Sequence, residues 1–210
     1  MKKYVTQPYN SLLISTSLTL IALVILGADA LSRSMYQGQA KVAVIEKENF
    51  SNEPLELVEL KATDHDLKLG EKFSGDGDWL KKISFKLKNR TDKPIVHLAL
   101  YLQFPETTAT GLMMSYTLQF GQRPKAKAKS NQPIFLMKGD AINFKLSEEQ
   151  YEEMRRFIET RQPLAGLSKV VVNVPLVYFA DGTVWSAGTL YRPDSTAPGG
   201  MRPVDGSSQN

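Results

Sequence analysis

The sequence predicts a mainly β fold: a two-sheet antiparallel sandwich of about seven or eight short strands, with one helix over about 148–161 and an apolar helix at the N-terminus. Three observations carry this. Apolar and polar residues alternate along several stretches, most strictly at Val96, Leu98, Leu100, Leu102 and Phe104. Asp181-Gly182 separates two such stretches, the strongest short-range signal for a hairpin. The period changes to that of a helix once, after Ser147. A barrel of the same strands is the main alternative architecture.

The chain begins with a segment of a different character. Ten Leu, Ile and Val residues lie between Leu12 and Leu26, behind Lys2 and Lys3. Each contributes roughly −0.3 to −0.6 kcal/mol to membrane insertion near a helix centre, so together they favour it by about −3 to −6 kcal/mol. Residues 1–30 therefore read as a signal peptide or a signal anchor. Gly27, Ala28 and Ala30 fit cleavage after Ala30, whereas the long lead through Pro8 and Asn10 fits a retained anchor. In both cases the lysines stay on the cytoplasmic side and the rest of the chain faces outward. The expected location is the outer face of the cytoplasmic membrane, or the periplasm or cell exterior after release.

Size and composition narrow the classes further. The chain has 210 residues, of which 42% are hydrophobic and 23% charged, enough for one ordinary packed domain. Its formal net charge is only +4, without the concentrated basic surface of a nucleic-acid binder. It has no cysteine, which excludes disulfides, thiol catalysis and cysteine metal ligation. No cofactor is implied.

Taken in order, residues 31–52 read as a linker with room for one edge strand around Val42 to Ile45. The sandwich is expected over 53–194. Leu55, Leu57, Leu60 and Ala62 predict a first strand whose phase slips once, as at a bulge. Gly70 to Asp78, with three glycines, predicts a loop. Ile83, Phe85 and Leu87 alternate with polar residues, and Asn89 to Pro94 supply the turn into the strict alternation that ends before Pro105. Met114, Tyr116, Leu118 and Phe120 predict another strand. Residues 134–137 and 142–146, joined by Lys138-Gly139-Asp140, predict either a hairpin or a crossing between sheets.

Ser147 and Gln150 form a capping-box pattern, followed by Tyr151, Met154, Phe157 and Ile158 on one helical face. Val170 to Tyr178 and Val184 to Leu190 then flank the Asp-Gly turn. Residues 195–210 hold almost nothing to bury and read as a disordered tail.

The runs Ile83 to Leu100, Lys138-Gly139-Asp140 and Tyr178-Phe-Ala-Asp-Gly-Thr-Val-Trp185 resemble exported bacterial proteins with immunoglobulin-like β-sandwich domains, mostly uncharacterised, and more distantly FxLYD-type domains. The resemblance spans most of 55–194 and implies a fold. It brings no catalytic residue.

Several residues invite a functional assignment. Asp64-His65-Asp66 are adjacent, so a strand would send alternate side chains to opposite faces rather than to one metal. Asp76 and Asp78 sit among glycines, but the other ligands of a calcium loop are missing. His97 is expected on the sheet surface, opposite the apolar face. Arg123, Lys125, Lys127 and Lys129 alternate with small residues or Pro, which on an extended chain places all four charges on one side. Such a row suits an acidic partner, a cell-wall polymer or anionic lipid. Trp79, Trp185, Tyr101 and Tyr116 are candidates for stacking on sugars.

These observations favour a non-enzymatic protein-interaction module of the cell envelope, working through a sheet edge or the basic segment within 106–132, with Arg123, Lys125, Lys127, Lys129, Trp79 and Tyr116 as its contact residues. An envelope protein is the expected partner, since no convergent polar cluster is evident in the sequence. A carbohydrate- or cell-wall-binding module is the alternative. A metal-binding or hydrolytic role ranks last, because nothing places two carboxylates on one face.

Overall fold

The computed structural model describes residues 41–63, 65–124 and 132–204. The apolar N-terminal segment and Lys125, Lys127 and Lys129 lie outside them, as do Asp64 and residues 205–210. Among the described residues no helix is long and apolar enough to cross a membrane.

The chain runs β1 (Lys41–Lys47), β2 (Leu55–Ala62), β3 (His65–Asp66), β4 (Lys72–Gly75), β5 (Ile83–Asn89), β6 (Ile95–Phe104), β7 (Met114–Gly121) and β8 (Ala141–Lys145). Helix α1 (Glu148–Glu159) follows, then β9 (Lys169–Phe179), β10 (Val184–Ser186), β11 (Thr189–Pro193) and β12 (Met201–Pro203). Two sheets result. The smaller has the order β3-β2-β5-β8 and is antiparallel throughout. Its β2 slips register between Leu57 and Glu59, the bulge that the apolar spacing requires.

The larger sheet is built on β9. One edge of β9 pairs with β6 along Val171 to Phe179, and β6 pairs in turn with β7. The other edge is divided. Its N-terminal half takes β1, which continues to β4, and its C-terminal half takes β10, followed by β11 and β12. Pro175 lies where that edge changes partner; its carbonyl accepts from Ala187 at 2.9 Å. A strand residue's N and C=O face the same side, so the missing N–H of Pro175 falls at the gap between β1 and β10, where it breaks no ladder.

The two sheets pack face to face around one apolar core. Phe85 and Phe144 stack at 4.2 Å within the smaller sheet, and Phe120 of the larger meets Phe144 edge-on at 6.3 Å. The void left between Leu102, Val170 and Val172 on one side and Ile83, Phe85 and Phe144 on the other is only about 10 Å³. No ligand chamber separates the sheets there.

Several expectations are corrected. The larger sheet is mixed rather than antiparallel, because β1 runs parallel to β9. Strand β1 is also interior, between β9 and β4, rather than an edge within a linker. Its charges conceal this. Lys41 reaches the carbonyls of Ala165 and Leu167, Lys47 pairs with Glu53, and Glu46 pairs with Lys169 at 2.8 Å. Each is satisfied locally while Ala43 and Ile45 enter the core.

The glycine-rich loop contains a strand, β4, held by β1. Residues 134–137 form no hairpin with β8: only Leu136 bridges Ile95 of the larger sheet, after which the chain crosses to the smaller one. The final alternation breaks at Ala187-Gly188, where φ values of 43° and 96° turn β10 into β11. Nor is the tail unstructured through 204. Asp194 accepts from Thr196 N and Oγ1 and pairs with Arg202 at 2.8 Å, so turn chemistry rather than burial sets up β12. Helix α1 begins at the capping box of Ser147 as expected and ends at Glu159.

Candidate functional site

The residues singled out from the sequence do not form one surface. Trp79 is 2% exposed; its indole N–H donates to the Leu167 carbonyl at 3.0 Å and its ring meets Phe73 at 5.5 Å. It is a core residue and cannot stack on an external sugar. Trp185 is likewise buried. Tyr116 on β7 donates to Glu153 of α1 at 2.9 Å. Burial, helped by the Glu153 carboxylate, pushes its phenol up to about 12. Its role is to tie the helix to the larger sheet.

Arg123 is exposed, but its Nε donates to Nε2 of His97 at 3.3 Å. That bond requires a lone pair on Nε2, so the proton of the neutral ring sits on Nδ1, facing the Gly121 carbonyl at 3.3 Å. His97 is 1% exposed, not a surface residue. Its ring lies on the face away from the core, as the alternation requires, yet Tyr178 and the chain from Gly121 to Arg123 cover it. Burial, reinforced by the Arg123 charge, lowers its pKa.

The carboxylate candidates are engaged in the fold. Asp76 pairs with Lys82 and caps the Asp78 amide, while Asp78 accepts from Tyr151 of α1 at 2.8 Å. Among the described residues no group of three or more His, Asp or Glu is placed to hold a metal.

A concave polar surface exists elsewhere, in residues read as linker and turn. After β1 the chain continues beside β9, Glu48 N donating to Val172 O at 3.0 Å, and then crosses to the smaller sheet through Asn52, whose φ is +53°. The turn after β5 rises beside it. Asn89, fully buried, donates to the carbonyls of Lys93 and Leu136 and accepts from Thr91 N and Oγ1, all at 2.9 Å. Arg90 N joins the two segments through Pro54 O at 3.0 Å. Between them, with Leu69 at the side, lies a cleft of about 620 Å³ lined by Lys47, Asn49, Phe50, Asn52, Glu53, Leu55, Glu56, Leu57, Arg90 and Thr91.

Its electrostatics centre on a buried ion pair. Lys47 Nζ donates to Glu53 Oε2 and to Asn49 Oδ1, the latter at 2.8 Å; the Lys47 and Glu53 side chains are 6% and 8% exposed. Burial raises the pKa of Glu53, opposed by its bond to Lys47 and by the nearby Phe50 amide and Arg90 charge. The other carboxylate oxygen, Oε1, is buried without a hydrogen-bond partner. Phe50 is half-buried, its ring held edge-to-face by Trp185 at 5.8 Å. The only trace of this site in the sequence is the polar cluster Lys47, Asn49, Asn52 and Glu53, which has no periodicity to mark it.

Comparison with protein-family models, with curated proteins and with solved structures finds no match to this chain.

Proposed function

We propose that the protein is an exported, non-enzymatic interaction module of the cell envelope that recognises an extended segment of a protein partner along the free edge of β7. The immunoglobulin-like character of the sandwich belongs to the same proposal, supported by its two facing sheets and the Asp181-Gly182 hairpin. Export rests on the apolar segment behind Lys2 and Lys3.

The carrying observation is the quality of that edge. Strand β7 has eight residues, contains neither a charge nor a proline, and among the described strands pairs only with β6. The other sheet ends are blunted: β3 has two residues, β4 and β8 carry terminal lysines, and β12 is three residues ending in Pro203. Long uncharged edges are templates for another strand, and natural proteins usually protect them. Arg123 follows directly and opens the basic segment, which suits a partner with acidic residues beside its extended stretch.

Site-specific photocrosslinking in cells tests this. With the crosslinker at Thr117 or Gln119, both exposed on β7, one recurrent envelope protein should be captured, and Gln119→Pro combined with the Thr117 probe should abolish capture. A probe at exposed Lys88 on β5 should capture nothing specific. Equal labelling from Lys88, or capture of only wall polymer or anionic lipid near Arg123, would overturn the protein-partner assignment.

A further inference from the structure

Exposed apolar side chains gather at one end of the sandwich, the end at which the chain enters it. Phe104 of β6 pairs with Met114 of β7, Gln103 with Val171 of β9, and Lys169 with Val44 of β1. The start of β1, the start of β9, the end of β6 and the start of β7 therefore lie together. Helix α1 closes this end with Tyr151, Met154 and Ile158 in the core, and Lys41 reaches the carbonyls of Ala165 and Leu167 in the segment after the helix. Here Leu112 is 83% exposed, Met113 42% and Phe157 44%.

These three form one patch. Helix α1 is fastened on its β7 side at two points. One is the Tyr116–Glu153 bond at 2.9 Å; the other is Gly111, where an added Cβ would lie 2.5 Å from Arg161 Nη1. Phe157 lies one turn after Glu153 and one turn before Arg161, which sets it between the two points and opposite Leu112 and Met113. Exposure alone assigns no partner, since Phe135 and Met137 are also exposed, beside Ile95 at the opposite end of β6. Position does. Residues 31–40 join the apolar segment to Lys41 and span at most about 36 Å even when fully extended, so the end bearing Leu112 is held within reach of the bilayer. A tethered surface works at high effective concentration, so a small patch suffices. The exposed charges around it are mixed, Arg156 and Arg161 beside Glu153 and Glu159, and give no basic surplus for anionic headgroups.

We propose that Leu112, Met113 and Phe157 enter the interfacial layer of the bilayer that anchors the chain, a lipid contact driven by apolar burial rather than by headgroup charge. The proposal rests on the reading of residues 1–30 as a retained anchor.

The chain has no cysteine, so a single-cysteine variant carries a single label. The test uses full-length protein reconstituted into phosphatidylcholine vesicles that contain lipid with a shallow nitroxide quencher. An environment-sensitive dye is placed on Leu112→Cys or, as the control, on Met137→Cys. Quenching should be at least about threefold stronger on Leu112→Cys than on Met137→Cys, and unchanged when phosphatidylglycerol is added. Phe157→Ser in the Leu112→Cys protein should reduce it at least about twofold. Phe157 lies outside the core cluster, so this change spares the fold. Equal quenching at the two positions, quenching that requires phosphatidylglycerol, or no effect of Phe157→Ser would each overturn the assignment. So would a dye shielded from water yet unquenched, as a second copy of the chain would leave it. If the protein stays with the vesicles through an alkaline carbonate wash while the dye on Leu112→Cys remains in water, this proposal fails and the anchor reading stands. If the wash releases the protein, the anchor reading fails and takes this proposal with it. Neither result alters what crosslinking from β7 reports.

Discussion

His97 illustrates how far one residue's environment departs from what its position in a pattern suggests. The period-two alternation of β6 puts it opposite the core, which is correct, but the chain from Gly121 to Arg123 folds over that face and excludes water. With Nδ1 occupied at Gly121 O and Nε2 accepting from Arg123, the folded state is built for the neutral ring. The consequence for pH has a definite sign. Above about 6.5 the ring is neutral in both states; as pH falls, the unfolded chain takes up the proton first, so stability is lost from there down through the depressed folded value. Urea midpoints should therefore fall between about pH 7 and about pH 5, and the fall should be smaller in His97→Gln. The same slope in both proteins would place the titrating group elsewhere. Trp79 and Trp185 teach the complementary lesson, since an indole counts equally well as a core residue or a binding platform until its burial is known.

At the scale of an element, what could be read early is what depends on neighbours close in the chain. Helix α1 is such a case. Ser147 Oγ accepts from Gln150 N, and Gln150 Oε1 accepts from Ser147 N, both at 3.1 Å, within four residues. Ser147→Ala should lower unfolding stability by about 1 kcal/mol, measured by urea denaturation, while Ser147→Asp should restore most of it. The bulge in β2 and the Asp-Gly hairpin belong to the same class. Residues 134–137 do not. Their alternation suits a strand, but past Gly121, where φ is +75° and an added Cβ would lie 2.1 Å from Val96 O, the chain returns to β6 for a single bridge before leaving the sheet. Strand length is set there by what the neighbour offers, which the segment's own residues do not encode.

The whole molecule turns on β9, whose one edge serves β6 while the other is shared by β1 and β10. Strand β1 is therefore a structural part of the sandwich, although a boundary near residue 53 is suggested by composition alone. A chain beginning at Glu53 loses Ala43 and Ile45 from the core, strips one edge of the N-terminal half of β9 and leaves β4 without the strand it pairs with. It should show no cooperative urea transition, whereas a chain beginning at Ala40 should unfold in a single step with protected β9 amides by hydrogen exchange. A cooperative transition in the shorter chain would show that β1 is an accessory. The cleft is likewise a product of global assembly. It exists because the crossing after β1 and the turn after β5, distant in sequence, are brought together by Arg90 N and Pro54 O.

The sequence by itself determined which residues alternate, where the helix is capped, where Asp181-Gly182 turns the chain, and that an apolar segment behind two lysines precedes everything else. These are local properties, governed by side-chain sterics and hydrogen bonds that reach only a few residues. Tertiary structure alone decided that β1 lies parallel to β9 inside the sheet, that Trp79 and His97 are covered, that the tail turns back into a short strand at Met201–Pro203, and that Glu53 is buried against Lys47. The reason is physical: alternation fixes which face of a strand is apolar, but its partner is chosen by burial and ladder hydrogen bonds summed over segments far apart in the chain.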